Sequence, residues 1–505
     1  MCGSKKVQSV QVNNYHRHRL GLLLNHGGTD QLCPRVTIDQ LPDEVLLEIF
    51  SFYMALSGGE DAWHTLVHVC QRWRYVVFGS PRRLDLRLFC KNLNGTLTKS
   101  LDIWPELPIA IRVYYAKALQ PPSVTDVISV VKRNDRVCKI SIINAPSSLL
   151  KEVAAISEPF PALIELELLA SSYAADPPIL PDSFLGGSVP HLRLFNLSGI
   201  SFPAIGKLLS STRDLVTLYL GSIPPSGYIS PEAMVNMLSP LTRLKAIHLN
   251  FLDCPHFVIH GASQRPSVLA RVILPALATF SFSGLDRSYL EEVVSRIDAP
   301  LDCIDVTLFN QPVFDIPLLR DFISRTKIFN APHRADTSFS NGNASISLFR
   351  RKRDIDFKVL ELTIFYDDNS HLSSRLRSCS SFLLPLLSLE RLSIYDLPSG
   401  RWQEVENTHW MELLRPFIAV KDLVLNEPTI LSIASVLQEL VEDQVADILP
   451  ALQNIFLEGF ESSGPVPEGI GKFIAARELS GRTVIVHYRE TKEETYQIHS
   501  EVGDL

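Results

Sequence analysis

The chain has no run of eighteen apolar residues, so no membrane-spanning helix is expected. Near its start the apolar run Leu22-Leu23-Leu24 is short and follows a basic, histidine-bearing stretch, so no secretory signal is expected either. There is no C-x-x-C pair among the eight cysteines. Cys2, Cys33, Cys70, Cys90, Cys138, Cys254, Cys303 and Cys379 are scattered, several within apolar patterns where a thiol acts as a small hydrophobe. That usage belongs to a reducing compartment, cytoplasm or nucleus. Nor is there a surplus of positive charge: 48 Lys and Arg against 55 Asp and Glu leave −7, which argues against a general binder of nucleic acid or anionic membrane.

Catalytic signatures are missing too. His64 and His68 have the helical spacing of two metal ligands, but Thr65 stands where H-E-x-x-H needs its general base. Cys254, His256 and His260 lack a second cysteine, and packing or surface positions are the plainer reading of all five residues. The Gly464–Lys472 segment fails the phosphate-loop spacing and continues with Phe473 where Ser or Thr would hold magnesium. No G-x-S-x-G elbow occurs, and pairs such as Glu291-Glu292 read as solvated helix faces. The basic run Arg350–Arg353, followed by Asp354 and Asp356, reads as a solvated turn, with a weak localisation signal or anion contact as the alternative. A hidden α/β hydrolase would need a nucleophile and base that cannot be located. No enzyme, metal or cofactor is expected.

What the chain does have is length, at 505 residues, and the composition of a folded protein, 46% apolar and 20% charged. It also has a recurring pattern, apolar-x-x-apolar-x-apolar. Leu163-x-x-Leu166-x-Leu168, Leu215-x-x-Leu218-x-Leu220 and Leu452-x-x-Ile455-x-Leu457 are examples among eleven copies between Val137 and Leu457, spaced by 23 to 33 residues apart from one long gap. That gap, from Leu301 to Phe357, predicts a degenerate copy near Ile328. The period of two at the end of each copy predicts a short strand with its apolar residues on one face. Helical stretches lie between copies, such as Pro231–Leu238 with Ser230 as N-cap. One strand and one helix per 20 to 35 residues is a stacking unit, and an ordinary α/β domain with buried parallel strands is the alternative. Over residues 135 to 460 the pattern resembles the leucine-rich repeat family. The resemblance implies an irregular horseshoe, because Ile200, Ile223, Leu252, Leu285 and Leu397 stand where the family commonly carries Asn or Cys. The expected fold is therefore α/β: a small N-terminal helical bundle followed by a leucine-rich-repeat-like solenoid of short parallel strands and helices.

The N-terminal segment carries the more specific signal. Pro42 suits a first helical turn, Asp43 and Glu44 suit its positive end, and Val45 with Ile49 and Leu46 with Phe50 form i,i+4 apolar pairs. After the Ser57–Asp61 loop, a second helix carries Trp63, Leu66, Val67, Cys70, Trp73 and Val77. So small a bundle buries little surface, and part of its apolar stripe needs an outside partner. The residues Leu41-Pro42-x-Glu44-Val45-Leu46-x-x-Ile49-Phe50, followed by Val69–Arg74, resemble the F-box motif, and the continuation to Leu84 resembles the version found in many fungal F-box proteins. The Gly58-Gly59 loop lengthens the usual spacing. The resemblance implies docking on a Skp-type adaptor and through it a cullin, within a ubiquitin ligase. Carried over, Leu41, Pro42, Val45, Ile49 and Phe50 would touch that adaptor, while Leu66, Cys70 and Trp73 would pack the bundle and supply part of the contact. Plain core packing is the alternative for each.

The expected organisation is a flexible arm (1–35), an F-box helical domain (36–84), a transition (85–134), a repeat domain (135–480), and a C-terminal strand and charged tail (481–505). In a horseshoe, residues between the inward apolar ones line the concave face. Glu167, Asn196, Tyr219, His248, Asp305 and Phe456 are the candidate substrate contacts, with Ser141, Ser281, Glu361, Ser393 and Val424 in the same row. The row is mixed and not basic, which suits a protein partner better than a phosphate backbone. Val424 and Phe456 would be exposed at the far end unless a strand at Thr483–Tyr488 covers them. The competing reading is a repeat scaffold or recognition protein unconnected with ubiquitin, its N-terminal helices serving only as a cap.

Overall fold

The computed structural model describes residues 38–57, 62–90, 101, 106–115, 122–171, 178–251, 271–309, 316–326, 332–340, 343–353, 355–366, 388–396, 407–443, 448–459 and 466–489. The expected arm and charged tail, the degenerate copy at Ile328, the Gly58–Asp61 loop, Gly464, Leu252, Leu397 and the Cys254, His256, His260 group lie outside these residues. Two compact units divide between Asp85 and Leu86.

The first unit is helical. The 3-10 turn Ile38–Gln40 leads to Pro42, whose carbonyl accepts the Val45 and Leu46 N–H groups at 3.1 Å. Helix α1 (Asp43–Ser57) thus starts one residue after the proline, with Asp43 and Glu44 in its first turn where the helix dipole favours negative charge. Helices α2 (Ala62–Val67) and α3 (Gln71–Gly79) follow. Arg74 Nε donates to the Val67 carbonyl at 3.0 Å and so satisfies the end of α2. Cys70 is the N-cap of α3, its Sγ accepting the Trp73 N–H at 3.4 Å. Leu46, Leu47, Phe50, Trp63, Leu66, Val67, Val76 and Val77 fill the core. Each contributes roughly 1.5–3 kcal/mol of burial.

The second unit is a mixed α/β body built on a 16-stranded sheet. In chain order it runs β1 (Leu88–Cys90), β2 (Ile109–Tyr114), α4 (Val124–Val131), β3 (Val137–Ala145), α5 (Ser147–Ala154), β4 (Glu165–Ala170), β5 (Leu194–Ser198), α6 (Ile205–Ser210), β6 (Thr217–Gly221) and α7 (Pro231–Leu238). It continues with β7 (Ala246–Phe251), β8 (Val272–Ile273), β9 (Thr279–Gly284), α8 (Arg287–Ser295), β10 (Ile297–Asp298), β11 (Cys303–Phe309) and α9 (Pro317–Arg325). The last part holds β12 (Arg334–Phe339), β13 (Asn343–Lys352), β14 (Ile355–Phe365), β15 (Arg391–Asp396), α10 (Asn407–Leu414), β16 (Asp422–Asn426), α11 (Glu427–Asp443), β17 (Asn454–Glu458), α12 (Glu468–Leu479) and β18 (Ile485–Arg489). Strands β8 and β10 pair with each other as a separate two-stranded sheet.

The apolar pattern explains the layering. Leu166 and Leu168 of β4, Leu218 and Leu220 of β6, Phe280 and Phe282 of β9, and Ile455 and Leu457 of β17 are all buried, while the residues between them are half-exposed. Helices pack side by side as a second layer: α4 on α5, then α6 through α9 in sequence, and α10 on α11 on α12. Their starts follow capping chemistry. Ser123, Ser230 and Asp286 each accept a backbone N–H from the first turn of α4, α7 and α8. Between strand and helix the chain turns sharply. Gly199 (φ +68°) follows β5, and Ser222 (φ +45°) follows β6. The next residues, Ile200 and Ile223, drop into the core, which accounts for apolar residues at these positions. A Cβ on Gly199 would lie 3.1 Å from that of Ala170 as well as straining the left-handed backbone.

Several sequence expectations change here. The sheet starts before the pattern does: β1 and β2, within the expected transition, are its first two parallel strands. The long gap holds an antiparallel excursion. Strands lie in the spatial order β11-β14-β13-β12-β15, with β13 antiparallel to both neighbours and every other pair in the sheet parallel. The chain passes α9, enters β12 two places beyond its expected position, and returns by two hairpins to pair β14 with β11. Phe357 is exposed rather than inward, because β14 begins in the hairpin arm opposite the basic run, where Arg350 pairs with Phe357. Arg353 (φ +52°) lies at the turn, and Arg351 reaches Asp356 at 3.5 Å.

Candidate functional site

Two surfaces carry the candidate residues, one in each unit. In the helical unit the phase of α1 separates two stripes. Leu46, Leu47 and Phe50 point inward, and Phe50 is fully buried with its ring 4.7 Å from that of Trp73. Val45, Ile49, Phe52 and Leu56 point outward, 42%, 40%, 67% and 86% exposed. Their 4-3-4 spacing is a continuous helical seam. Phe50, expected to touch a partner, is buried in the core, and Leu66, expected to pack the bundle and supply part of the contact, is buried with it. Leu41 and Trp73 are half-buried and Pro42 is exposed. Cys70 is half-buried, its sulfur used at the N-cap.

Phe52 and Leu56 were missed by reading Val45/Ile49 and Leu46/Phe50 as one stripe, although their spacing is written in the sequence. Val69 and Tyr75 are also exposed apolar residues of this unit. Arg72 was missed as well. Its guanidinium donates to the Leu41 carbonyl at 2.5 Å and to Asp43 Oδ1 at 2.7 Å, tying α3 to the start of α1. The half-exposed ion pair contributes less than about 1 kcal/mol, so its effect is positional.

In the sheet unit, register places the other candidates in one row. Arg112, Ser141, Glu167, Asn196, Tyr219 and His248 are successive partners across β2 to β7. Ser281, Asp305, Glu361, Ser347 and Asp336 continue it across β9, β11, β14, β13 and β12. Ser393, Val424, Phe456 and His487 complete it to β18. Glu167 accepts hydrogen bonds from Ser141 Oγ at 2.7 Å and Asn196 Nδ2 at 3.4 Å. Tyr219 and His248 lie with ring centroids 5.8 Å apart, and burial pushes the His248 imidazole below its ordinary value. Gly221 makes room for that tyrosine: a Cβ there would come within 2.6 Å of the Tyr219 ring.

The far end of the row follows the covered alternative. Val424 is buried, and Phe456 is half-buried beneath polar groups. The His487 ring stacks on Phe456 at 4.7 Å, and the Arg489 guanidinium lies 3.9 Å from its centroid. Both come from β18, which closes this end as the strand after β17.

Among the described residues Asp305 carries the most strongly perturbed carboxylate. Burial, then the Glu361 carboxylate beside it, push its carboxyl up to about 6 against the pull of Lys358. The folded-state value lies above the ordinary 3.8, so folding disfavours the ionised form. The penalty is absent below 3.8, grows between there and about 6, and is complete above. Asp305→Asn should therefore raise unfolding free energy at pH 7.5 by about 1–2 kcal/mol, discounted for partial solvent contact, and leave it unchanged near pH 3.5. Urea titrations at both pH values measure this; an equal effect at the two would refute the assignment.

Among the described residues no group of three or more His, Cys, Asp or Glu is arranged to hold a metal ion, and no helix is long and apolar enough to cross a membrane. No curated protein matches the chain. Residues 38–88, the helical unit and its continuation into β1, match the F-box-like family.

Proposed function

We propose that the chain is a non-enzymatic substrate-recognition adaptor of a Skp-cullin-F-box type ubiquitin ligase. In this reading the helical unit docks a Skp-type adaptor, and through it a cullin. The sheet unit is a leucine-rich-repeat-like body that holds a target protein on its open face. The observation that carries the reading is the F-box-like match at 38–88, because F-box domains generally bind Skp-type adaptors. The exposed seam Val45, Ile49, Phe52 and Leu56 supports it as a contact surface, since apolar residues left in water at helical spacing favour burial against a partner. Recurring parallel strands, each apolar pair facing a helical layer, support the repeat-like reading of the second unit.

Capture by a purified Skp-type adaptor tests the docking. Val45→Glu with Ile49→Glu should lower capture more than roughly tenfold, because a docked charge must be desolvated. The paired change Leu41→Ala with Pro42→Ala should weaken it too. Circular dichroism should show unchanged helix content for the glutamate variant, whose sites face outward. Undiminished capture by that folded variant would defeat the proposed surface.

A further inference from the structure

The acidic half of the open face has an unmet need for hydrogen-bond donors. Glu167 is held by two neutral groups, Ser141 and Asn196, and among the described residues by no cation. Asn196 turns its amide nitrogen to Glu167, which fixes its orientation and leaves its buried Oδ1 without a partner. Next along the row come the faces of Tyr219 and His248, and beyond Ser281 comes Asp305. The cations near these acids are used: Lys139 pairs with Glu165, and Lys358 with Glu361. Among the described residues no cation pairs with Glu167, and Lys358 offsets only part of the charge that Asp305 shares with Glu361.

We infer that this stretch, Glu167 to Asp305, is a binding site for an extended peptide segment bearing two basic side chains, presented by the target protein. One arginine or lysine donates to Glu167, with its stem across the Tyr219 ring. The second reaches Asp305. Charge-assisted donors and an aromatic face are what a guanidinium requires. The His248 imidazole, kept neutral by burial, opposes no cation at neutral pH. Glu167 and Asp305 lie five strand spacings apart, roughly 24 Å, which about six extended residues span together with the reach of two long side chains. The inference rests on the reading of the sheet unit as the target-binding body and adds the chemistry of the target.

Fluorescence anisotropy on the full chain tests it with the labelled, end-capped peptide Arg-Gly-Ser-Ala-Gly-Ser-Arg. Its forms with citrulline or phosphoserine at both ends serve as comparators. The arginine peptide should bind at least about tenfold more tightly than either comparator, and binding should weaken as salt rises. Glu167→Gln, which keeps the side-chain shape and one of the two acceptor oxygens while removing the charge, and Asp305→Asn should each weaken it about fivefold or more. Asp305→Asn should do so while stabilising the fold, which separates lost recognition from lost structure. Equal or tighter binding of the phosphoserine peptide, no binding of any peptide, or indifference to Glu167→Gln would overturn the inference. Adaptor capture measured on the same preparation separates the two ideas. Capture without peptide binding leaves the docking reading intact and removes this one. Peptide binding without capture does the reverse.

Discussion

Gly469→Val should destabilise the sheet unit by about 3 kcal/mol or more, whereas Gly471→Ala, two residues along the same helix, should stabilise it by about 0.5–1 kcal/mol. The two glycines look alike in sequence. In the structure a Cβ on Gly469 would lie 2.0 Å from the Ala434 carbonyl oxygen and 2.7 Å from its carbonyl carbon. These are backbone atoms of α11, so no rotamer change relieves the clash. Helices α11 and α12 would have to separate, uncovering Ile433, Leu437, Ile470 and Phe473, all now buried. A Cβ on Gly471 meets nothing within 4 Å and removes only the entropy cost of glycine in a helix. Guanidinium unfolding of both variants decides the matter. Two equal small losses would mean that the helices do not approach so closely.

Arg477→Met should cost about 2–4 kcal/mol, although methionine is the more apolar residue and the site is fully buried. The Arg477 guanidinium donates to the carbonyls of Ile448, Leu449 and Pro450 at 2.9, 2.8 and 3.4 Å. Its flat face lies 5.1 Å from the Phe473 ring centroid. Three carbonyls of the segment entering β17 thus find donors on α12, and Leu449 there is held at φ +48°. Methionine fills the volume but removes the donors to the Ile448 and Pro450 carbonyls, while that of Leu449 keeps the Leu452 N–H at 3.1 Å, and each buried acceptor left unpaired costs about 1–3 kcal/mol unless water enters. Arg477→Lys keeps the charge but presents one compact ammonium in place of the fork, so it should recover only part of the loss. Thermal unfolding of the pair measures it. A methionine variant as stable as the parent would show that the arginine is a passive filler.

Both residues show where local pattern stops being informative. The alternation at Leu166-x-Leu168 or Ile455-x-Leu457 reports a strand and its buried face, because burial on one side of a pleat needs only period two. Capping at Ser230 with Pro231 was equally legible, since those contacts lie within one turn. Helix α1 could be placed from Pro42, Asp43 and Glu44 for the same reason. Register could be read where copies are regular, which is why Glu167, Asn196, Tyr219 and His248 share a row. Other features depend on distant partners. Phe50 and Val45 are both apolar and on one helix; only packing against Trp73 and its neighbours separates the inward residue from the outward one.

By itself, then, the sequence determined the helical N-terminal unit, the direction in which the regular repeating strands face, and the row from Ser141 to Asp305. Periodicity and capping act within a few residues, where chain connectivity supplies the geometry. Only the tertiary structure decided the β14-β13-β12 excursion, the closure of the far end by β18 over Phe456, the close approach at Gly469 and the place of Arg477. Each of these joins segments far apart in the chain, and which pairing wins depends on burial and hydrogen bonding summed over the whole sheet.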